Sequence, residues 1–227
     1  MKTAFKIALE WDVYTWQHAL VFWNQAIENW NFPMQSGLEI GARNGGLSWY
    51  FAKTYGSKMI CTDVKKPRKQ AHMMDPSLMG LLSCQTADAT ALPYPSDHFD
   101  FVVFKSVMGA LGHDDGLRRQ HAAMREIQRV LKPGGVLFFA ENLQASLTHQ
   151  WLRKRFVGWG KRWRYVHENE LIELLSPFAE KQVKSVGFLG AFVRGPLWLK
   201  WFLSQTDKFL GFIPNQWKYV GFGIAIK

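Results

Sequence analysis

The sequence predicts an α/β protein built on a doubly wound, mainly parallel sheet, and three observations carry that prediction. Short apolar runs alternate with stretches of helical periodicity from residue 38 to residue 140, the pattern of strands joined by right-handed helical crossovers. The run FDFVVF from Phe99 to Phe104 is apolar on both faces, as a central parallel strand requires. The first of these runs ends in a turn bearing Gly41, Gly45 and Gly46 that opens a helix, the place where open parallel sheets bind ligands.

The elements follow in order. Trp16, Leu20, Trp23, Ile27 and Trp30 recur at spacings of four, three, four and three. They form one apolar helix stripe, ended by Pro33 and Gly37. Two readings of it stand: a helix packed on the domain, or a lid whose aromatic rings also face a ligand. Residues 38–42 predict a first strand, 46–55 a helix and 58–63 a second strand. A looser, partly helical region runs to Gly80. Residues 82–86 and 99–104 are the third and fourth strands. Residues 114–131 read as a helix with Leu117, His121, Met124, Ile127 and Leu131 on its stripe; the KPGG run from Lys132 to Gly135 stops it. Residues 136–140 are a fifth strand and 168–175 a short helix closed by Pro177. Residues 183–193 and 219–226 are strand-like, and between them lies an aromatic helical segment, 196–210.

Composition bounds the rest. The chain has 227 residues, which suits one domain with a full core, and its 48% hydrophobic content excludes a disordered chain. The formal net charge of +10 favours acidic partners: nucleic acid, phosphorylated metabolites or an anionic membrane surface. Cys61 and Cys84 sit inside apolar runs and read as buried reduced thiols, so neither a disulfide nor a metal site is expected. No run of 18 uncharged apolar residues occurs and the opening residues do not resemble a secretory signal; a cytoplasmic location is the expectation.

The chemistry concentrates at strand ends. In the segment LEIGARNGGLS from Leu38 to Ser48, Arg43 stands where a dinucleotide-binding turn has its second glycine, which argues against a pyrophosphate. Asp63 follows Gly41 by 22 residues and ends the second strand, with Val64 beside it; an acid there can accept hydrogen bonds from both hydroxyls of a ribose. Asp88, between Ala87 and Ala89 after the third strand, can bond the exocyclic amine of an adenine or can cap its own backbone.

On these residues the chain resembles class I S-adenosylmethionine-dependent methyltransferases, especially the broad ubiquinone-biosynthesis-like group, and more loosely the methyltransferases of bacterial polysaccharide clusters. Glu39, Gly41 and Gly45 match the family's first motif, with Arg43 at its middle glycine. Asp63 matches the ribose-binding acid, Asp88 the adenine-proximal position, residues 99–105 the fourth strand and residues 129–137 the helix–turn–strand segment. The resemblance runs from about Ser36 to Asn142. It implies a Rossmann-like, seven-stranded sheet of order 3-2-1-4-5-7-6 with strand 7 antiparallel, and S-adenosylmethionine as cofactor. Glu39, Gly41, Arg43, Gly45, Asp63, Val64, Asp88, Ala89, Lys105 and Ser106 are the implied cofactor contacts. The Arg43 guanidinium could reach the methionyl carboxylate. The implied layout is one domain: a helical lid in residues 1–35, a cofactor-binding core in 36–142, and substrate-side elements with the last strands in 143–227.

Methyl transfer needs a donor and an acceptor held in line, and a proton acceptor where the nucleophile carries a proton. His113, expected on a short loop after the fourth strand, is the first candidate, with His149, His167 and Glu141 after it; Glu141 and Asn142 end the fifth strand at the expected mouth. His121 reads as packing. The segment from Trp151 to Arg164 holds six basic residues and no acid, interleaved with aromatics. It reads as a solvated cationic helix, a site for an anionic acceptor such as a lipid-linked phosphate or nucleotide sugar, or an RNA surface. Residues 196–212 read as an interfacial helix or a buried cap. Together they favour O-methylation of a small or lipid-linked, anionic or sugar acceptor, with peripheral contact to an anionic membrane. An RNA-binding or RNA-modifying protein on the same fold is the rival from another class. A short-chain dehydrogenase is excluded, because none of the six tyrosines has a lysine four residues on. The sequence assigns no oligomeric state.

Overall fold

The computed structural model describes residues 3–65, 67, 71–156, 158, 163–192, 197–206 and 213–227. Two helices open the chain, α1 (Thr3–Leu9) and α2 (Val13–Trp30). Strand β1 (Ser36–Ile40) and helix α3 (Gly46–Tyr55) follow, then β2 (Lys58–Asp63), β3 (Leu82–Thr86) and β4 (Phe99–Lys105). Helices α4 (Met108–Asp115) and α5 (Leu117–Val130) lead into β5 (Leu131–Asn142). The last elements are α6 (Leu147–Phe156), α7 (Glu168–Leu174), β6 (Glu180–Val186), α8 (Leu197–Thr206) and β7 (Val220–Ile226).

The seven strands form one sheet in the order β3-β2-β1-β4-β5-β7-β6. All pairings up to β5 are parallel, and β7 runs antiparallel between β5 and β6. This is the order the family resemblance implies. Every residue of β4 is buried, as expected for a central strand covered on both faces.

Each face of the sheet has its own core. On one, Trp16, Leu20, Trp23 and Ile27 of α2 join Phe51 of α3 and Phe101 and Phe138 from the sheet. The α2 stripe is therefore mostly packing, and Trp30 at its end remains 40% exposed. Trp23 is fully buried, sits 6.0 Å from the Phe138 ring and donates its indole N–H to the Gly223 carbonyl at 3.0 Å. On the other face, Met124 and Ile127 of α5 and Leu171 of α7 meet Phe99, Phe104 and Phe139.

Four sequence expectations need correction. The helix expected over 114–131 is two helices that meet at Gly116, and α4 begins as early as Met108. Gly109 and Gly112 interrupt any stripe there, so periodicity could not reveal it. The helix does stop at Val130, but the strand expected over 136–140 runs through the KPGG segment from Leu131 to Asn142, with a register shift between Phe99/Leu131 and Phe101/Val136. The strand expected over 183–193 ends at Val186; Gly187, at φ +85°, turns the chain into a 3₁₀ turn over Leu189–Phe192. Strand β1 starts two residues before the expected 38. Of the aromatic segment 196–210, residues 196 and 207–210 lie outside the described residues, as do 157 and 159–162 of the basic segment.

Two buried carboxylates pin the helix starts that face the carboxyl edge of the sheet. Glu39 on β1 accepts the Ser48 backbone N–H at 2.7 Å and the Ser48 hydroxyl at 2.5 Å. Glu141 on β5 accepts the backbone N–H groups of Val107, Met108 and Asn142 at 2.8, 2.7 and 2.8 Å. Burial is the dominant influence on both and pushes each pKa up to about 7, against the hydrogen bonds that favour the ionised form.

Two predictions follow from this packing. Trp23→Ala removes a wholly buried indole and should cost about 3–5 kcal/mol of stability, read by urea denaturation; a loss within experimental error would contradict the packing described. Because Glu39 and Glu141 hold protons more tightly folded than unfolded, stability is greatest below their unfolded pKa and declines as pH rises from about 4.5 to about 7. Thermal midpoints measured across that window should fall in the wild type and run flatter in the Glu39→Gln, Glu141→Gln double variant.

Candidate functional site

The carboxyl ends of β1, β2 and β4 open onto a cleft of about 860 Å³, at the switch point where β1 connects away from β4. Gly41 leaves β1 at φ +66°, and a Cβ there would lie 2.5 Å from the Val107 side chain. Only glycine meets both constraints. Arg43 holds a left-handed conformation too, at φ +51°. Its backbone N–H donates to Asp63 at 3.0 Å, so the turn after β1 is tied to the end of β2. The other Asp63 oxygen accepts the Lys65 N–H at 3.3 Å.

Gly41, Arg43, Asp63, Val64, Ala89, Lys105 and Ser106 all line this one cleft. Asn142 lines it as well and donates its side-chain amide to the Ser106 hydroxyl at 2.8 Å. Glu39 lies beneath, on a smaller adjoining cavity. Gly45, at φ +73°, packs against Met73 and Cys61 and is not part of the lining. Asp88 is not among the lining residues and caps its own turn: it accepts the Thr90 N–H at 2.9 Å and hydroxyl at 2.8 Å, and pairs with Arg119 at 3.1 Å. Burial works to raise its pKa, and the bonds from Thr90 and Arg119 outweigh that and hold it below the ordinary value. Its neighbours Ala87 and Ala89 form the wall instead.

The four candidate proton acceptors do not gather at the cleft. His113 sits near the end of α4, exposed, rather than on a short loop after β4. His149 is buried on α6 with one ring nitrogen 2.6 Å from the Ser146 hydroxyl and the other 2.9 Å from the Phe188 carbonyl. His167 caps α7, its backbone N–H donating to Glu170 at 3.0 Å. Glu141 is wholly engaged with backbone N–H groups, as described above. None of the four is among the lining residues.

Trp11, Ala110, Leu111 and Arg119 line the cleft and escaped the sequence reading, while Trp163, also in the lining, belongs to the basic aromatic segment 151–164 named as a possible acceptor site. Trp11 stands between Glu10 and Asp12, both at positive φ, in the break between α1 and α2 and off the helical stripe. Paired acids around an aromatic, just ahead of a helix, were the available signal. Arg43 leans on this break: its guanidinium lies 3.5 Å from Glu10 and 5.3 Å from the centre of a Trp11 ring. Trp163 rests on α4 at Gly109, where a Cβ would collide with the indole nitrogen. Lys105, at the end of β4, is 7% exposed and donates to the Leu9 carbonyl at 3.0 Å. Its Nζ lies 3.0 Å from the centre of a Trp11 ring and 4.5 Å from that of Trp16. Burial depresses its pKa well below the ordinary lysine value.

Comparison with known proteins agrees with this geometry. Residues 38–139 match the family model described as a methyltransferase domain. The chain is 28% identical over 127 residues to a ubiquinone/menaquinone biosynthesis C-methyltransferase from a Shewanella species; the match takes in 54% of this chain and 47% of the relative, so it spans about half that relative's length. Among solved structures, it resembles Haemonchus contortus phosphoethanolamine N-methyltransferase 2 in complex with phosphomonomethylethanolamine and S-adenosylhomocysteine, with a TM-score of 0.61 and 18% identity over 99% of this chain and 57% of that one. It also resembles the [4+2]-cyclase SpnF, with a TM-score of 0.59 and 19% identity over 94% of this chain and 82% of that one. At these identities the two structures speak for the fold. The strand order, the motif positions and the family match agree on residues 38–139, which form a methyltransferase domain of the class I S-adenosylmethionine-dependent kind.

Proposed function

We propose that this cleft transfers the methyl group of S-adenosylmethionine to the oxygen of a small or lipid-linked acceptor that carries negative charge or sugar hydroxyls. The observation that carries the reading is that Gly41 and Asp63 line one open cleft: a backbone turn with no side chain in the way, and a carboxylate at the end of the adjacent strand. The volume of about 860 Å³ is within the range of small-molecule sites, so the residues fit the cofactor. When bound, it supplies a methyl carbon already activated by a sulfonium.

In this reading Asp63 accepts hydrogen bonds from the ribose hydroxyls, and Val64, Ala87 and Ala89 wall the adenine. The Trp11 face borders the region where a cation is held. Ser106 and Asn142 orient the acceptor at the mouth. Residues 1–35 serve as the lid chiefly through the break at 10–12. The charge of the lining supports an anionic acceptor: among the described lining residues the guanidinium groups of Arg43 and Arg119 stand against the one carboxylate of Asp63. The relatives' name points to a carbon acceptor as the second reading; the same cleft serves either, and product analysis separates them.

The outer surface supports a lipid-linked acceptor met at the inner face of a membrane. Helix α6 exposes Leu147, Trp151 and Phe156 beside Lys154 and Arg155, and α8 exposes Trp201 and Phe202. Both helices pack on the 3₁₀ turn Leu189–Phe192. Aromatic groups mixed with basic ones suit an anionic interface. Among the described residues no helix is long and apolar enough to cross a membrane. The RNA alternative draws less support: Arg153 is spent on the Leu143 carbonyl at 2.6 Å and Arg164 on Glu170 at 2.7 Å, which leaves fewer cations for a phosphate chain.

Two measurements test this function. S-adenosylhomocysteine titrated calorimetrically should bind the wild type, and Asp63→Ala should weaken it about ten- to a hundredfold, the cost of lost charged hydrogen bonds; equal affinity would refute the cofactor placement. Sedimentation with anionic vesicles should bring the protein down at low salt and release it steeply as salt rises; failure to bind at any salt would remove the membrane part.

A further inference from the structure

Resting on that reading, we infer that Lys105 is the proton acceptor of the transfer. Among the described residues the lining contains four side chains that ionise: Arg43, Asp63, Lys105 and Arg119. A guanidinium has no lone pair to offer. Asp63 is committed in that reading to the ribose hydroxyls, beside the Arg43 and Lys65 backbone N–H groups that it accepts at the end of β2. His113, His149, His167 and Glu141 are not among the lining residues. Lys105 remains, at the end of β4.

Its surroundings suit a neutral amine in the resting state. A neutral amine has two N–H bonds, and two acceptors are within reach: the Leu9 carbonyl at 3.0 Å and the π face of Trp11 at 3.0 Å. The lone pair is then left over. Among the described residues no carboxylate lies within ion-pair distance of Nζ, so nothing locks the ammonium in place. Burial disfavours the charge and sets the pKa well below that of a free lysine.

The same pocket receives the charge once it forms. Lys105 takes the hydroxyl proton of the acceptor into its lone pair as the hydroxyl oxygen bonds to the methyl carbon and the carbon–sulfur pair returns to sulfur. The products are the methylated acceptor, S-adenosylhomocysteine and a Lys105 ammonium. The faces of Trp11 and Trp16 stabilise that ammonium. Glu10 and Asp12 from the α1–α2 break and Glu141 from β5 favour it at longer range, and Arg43 from the β1–α3 turn opposes it. The ammonium gives its proton to solvent through the open cleft before the next turnover.

The test uses the full chain carrying lysine labelled with ¹³C at Cε, titrated by NMR with and without S-adenosylhomocysteine. Lys105→Met identifies the Lys105 signal by its loss. That signal should titrate well below the group of exposed lysines; titration together with them would overturn the assignment. Calorimetry on the same samples keeps the two ideas apart: no S-adenosylhomocysteine binding sinks the cofactor reading, whereas binding with an ordinary Lys105 titration sinks only the base. With an acceptor identified from labelled-donor screening, Lys105→Met and Lys105→Arg should each lose on the order of 10²–10⁴-fold in kcat, together with the pH dependence set by Lys105. Arginine keeps the charge and the aromatic contacts but cannot accept a proton. Activity of Lys105→Arg within about tenfold of wild type would therefore show a merely structural latch.

Discussion

Glu39 and Glu141 stand on β1 and β5 with β4 between them, and the shape of the cleft depends on what they bond. A helix begins with several backbone N–H groups that have no partner inside the helix, and buried ones must be satisfied. The usual solution is a polar side chain just before the helix. Here the residues in that position are Gly45 before α3 and Val107 before α4, and neither carries an acceptor. The carboxylates come up from the sheet instead. Glu39 takes the N–H of Ser48 and Glu141 those of Val107 and Met108. The turns at 41–45 and 106–107 are thereby held from the helix side, while their free side borders the cleft. The cost is the burial of two carboxyl groups with raised pKa, which only several directed hydrogen bonds can offset.

The cleft joins two kinds of material. Its floor belongs to the matched family segment, residues 38–139: Gly41, Asp63, the alanines after β3 and the end of β4. Trp11 and Trp163 come from outside that segment, one before it and one after. Trp11 is held by Lys105 and Arg43, which belong to the floor, so the N-terminal break and the strand ends are coupled through cation–π contacts. A fold of this kind hosts many reactions, and the acceptor is selected by what flanks the shared core. The flanking tryptophans, the guanidinium groups of the lining and the exposed aromatic groups of α6 and α8 are therefore where acceptor choice would reside in this chain.

Lys105 illustrates how position overrides residue type. In water a lysine amine is protonated and useless as a base near neutrality. At the end of a buried strand, between two indoles and against a carbonyl, it can be neutral at rest and charged after the chemical step. Histidine, the usual candidate from composition alone, is here used for packing and capping, as His149 and His167 show.

By itself the sequence determined the alternation of strands and helices, because apolar runs of period two and stripes of period 3.6 are local properties. Helix α3, strands β2 and β3, and the positions of Gly41 and Asp63 were legible for that reason. The strand order was legible only through family resemblance, since nothing local distinguishes one parallel neighbour from another. Tertiary structure alone decided the rest. Helix α4 exists because Glu141, 33 residues after Met108, accepts its first N–H groups. Asp88 faces Thr90 and Arg119 because α5 brings the arginine alongside. Trp11 lines the cleft because Lys105, 96 residues after Leu9, reaches back to the α1–α2 break. Each of these is a contact between residues distant in the chain, whose partners exist only once the sheet has closed, and no local pattern encodes a partner that far away.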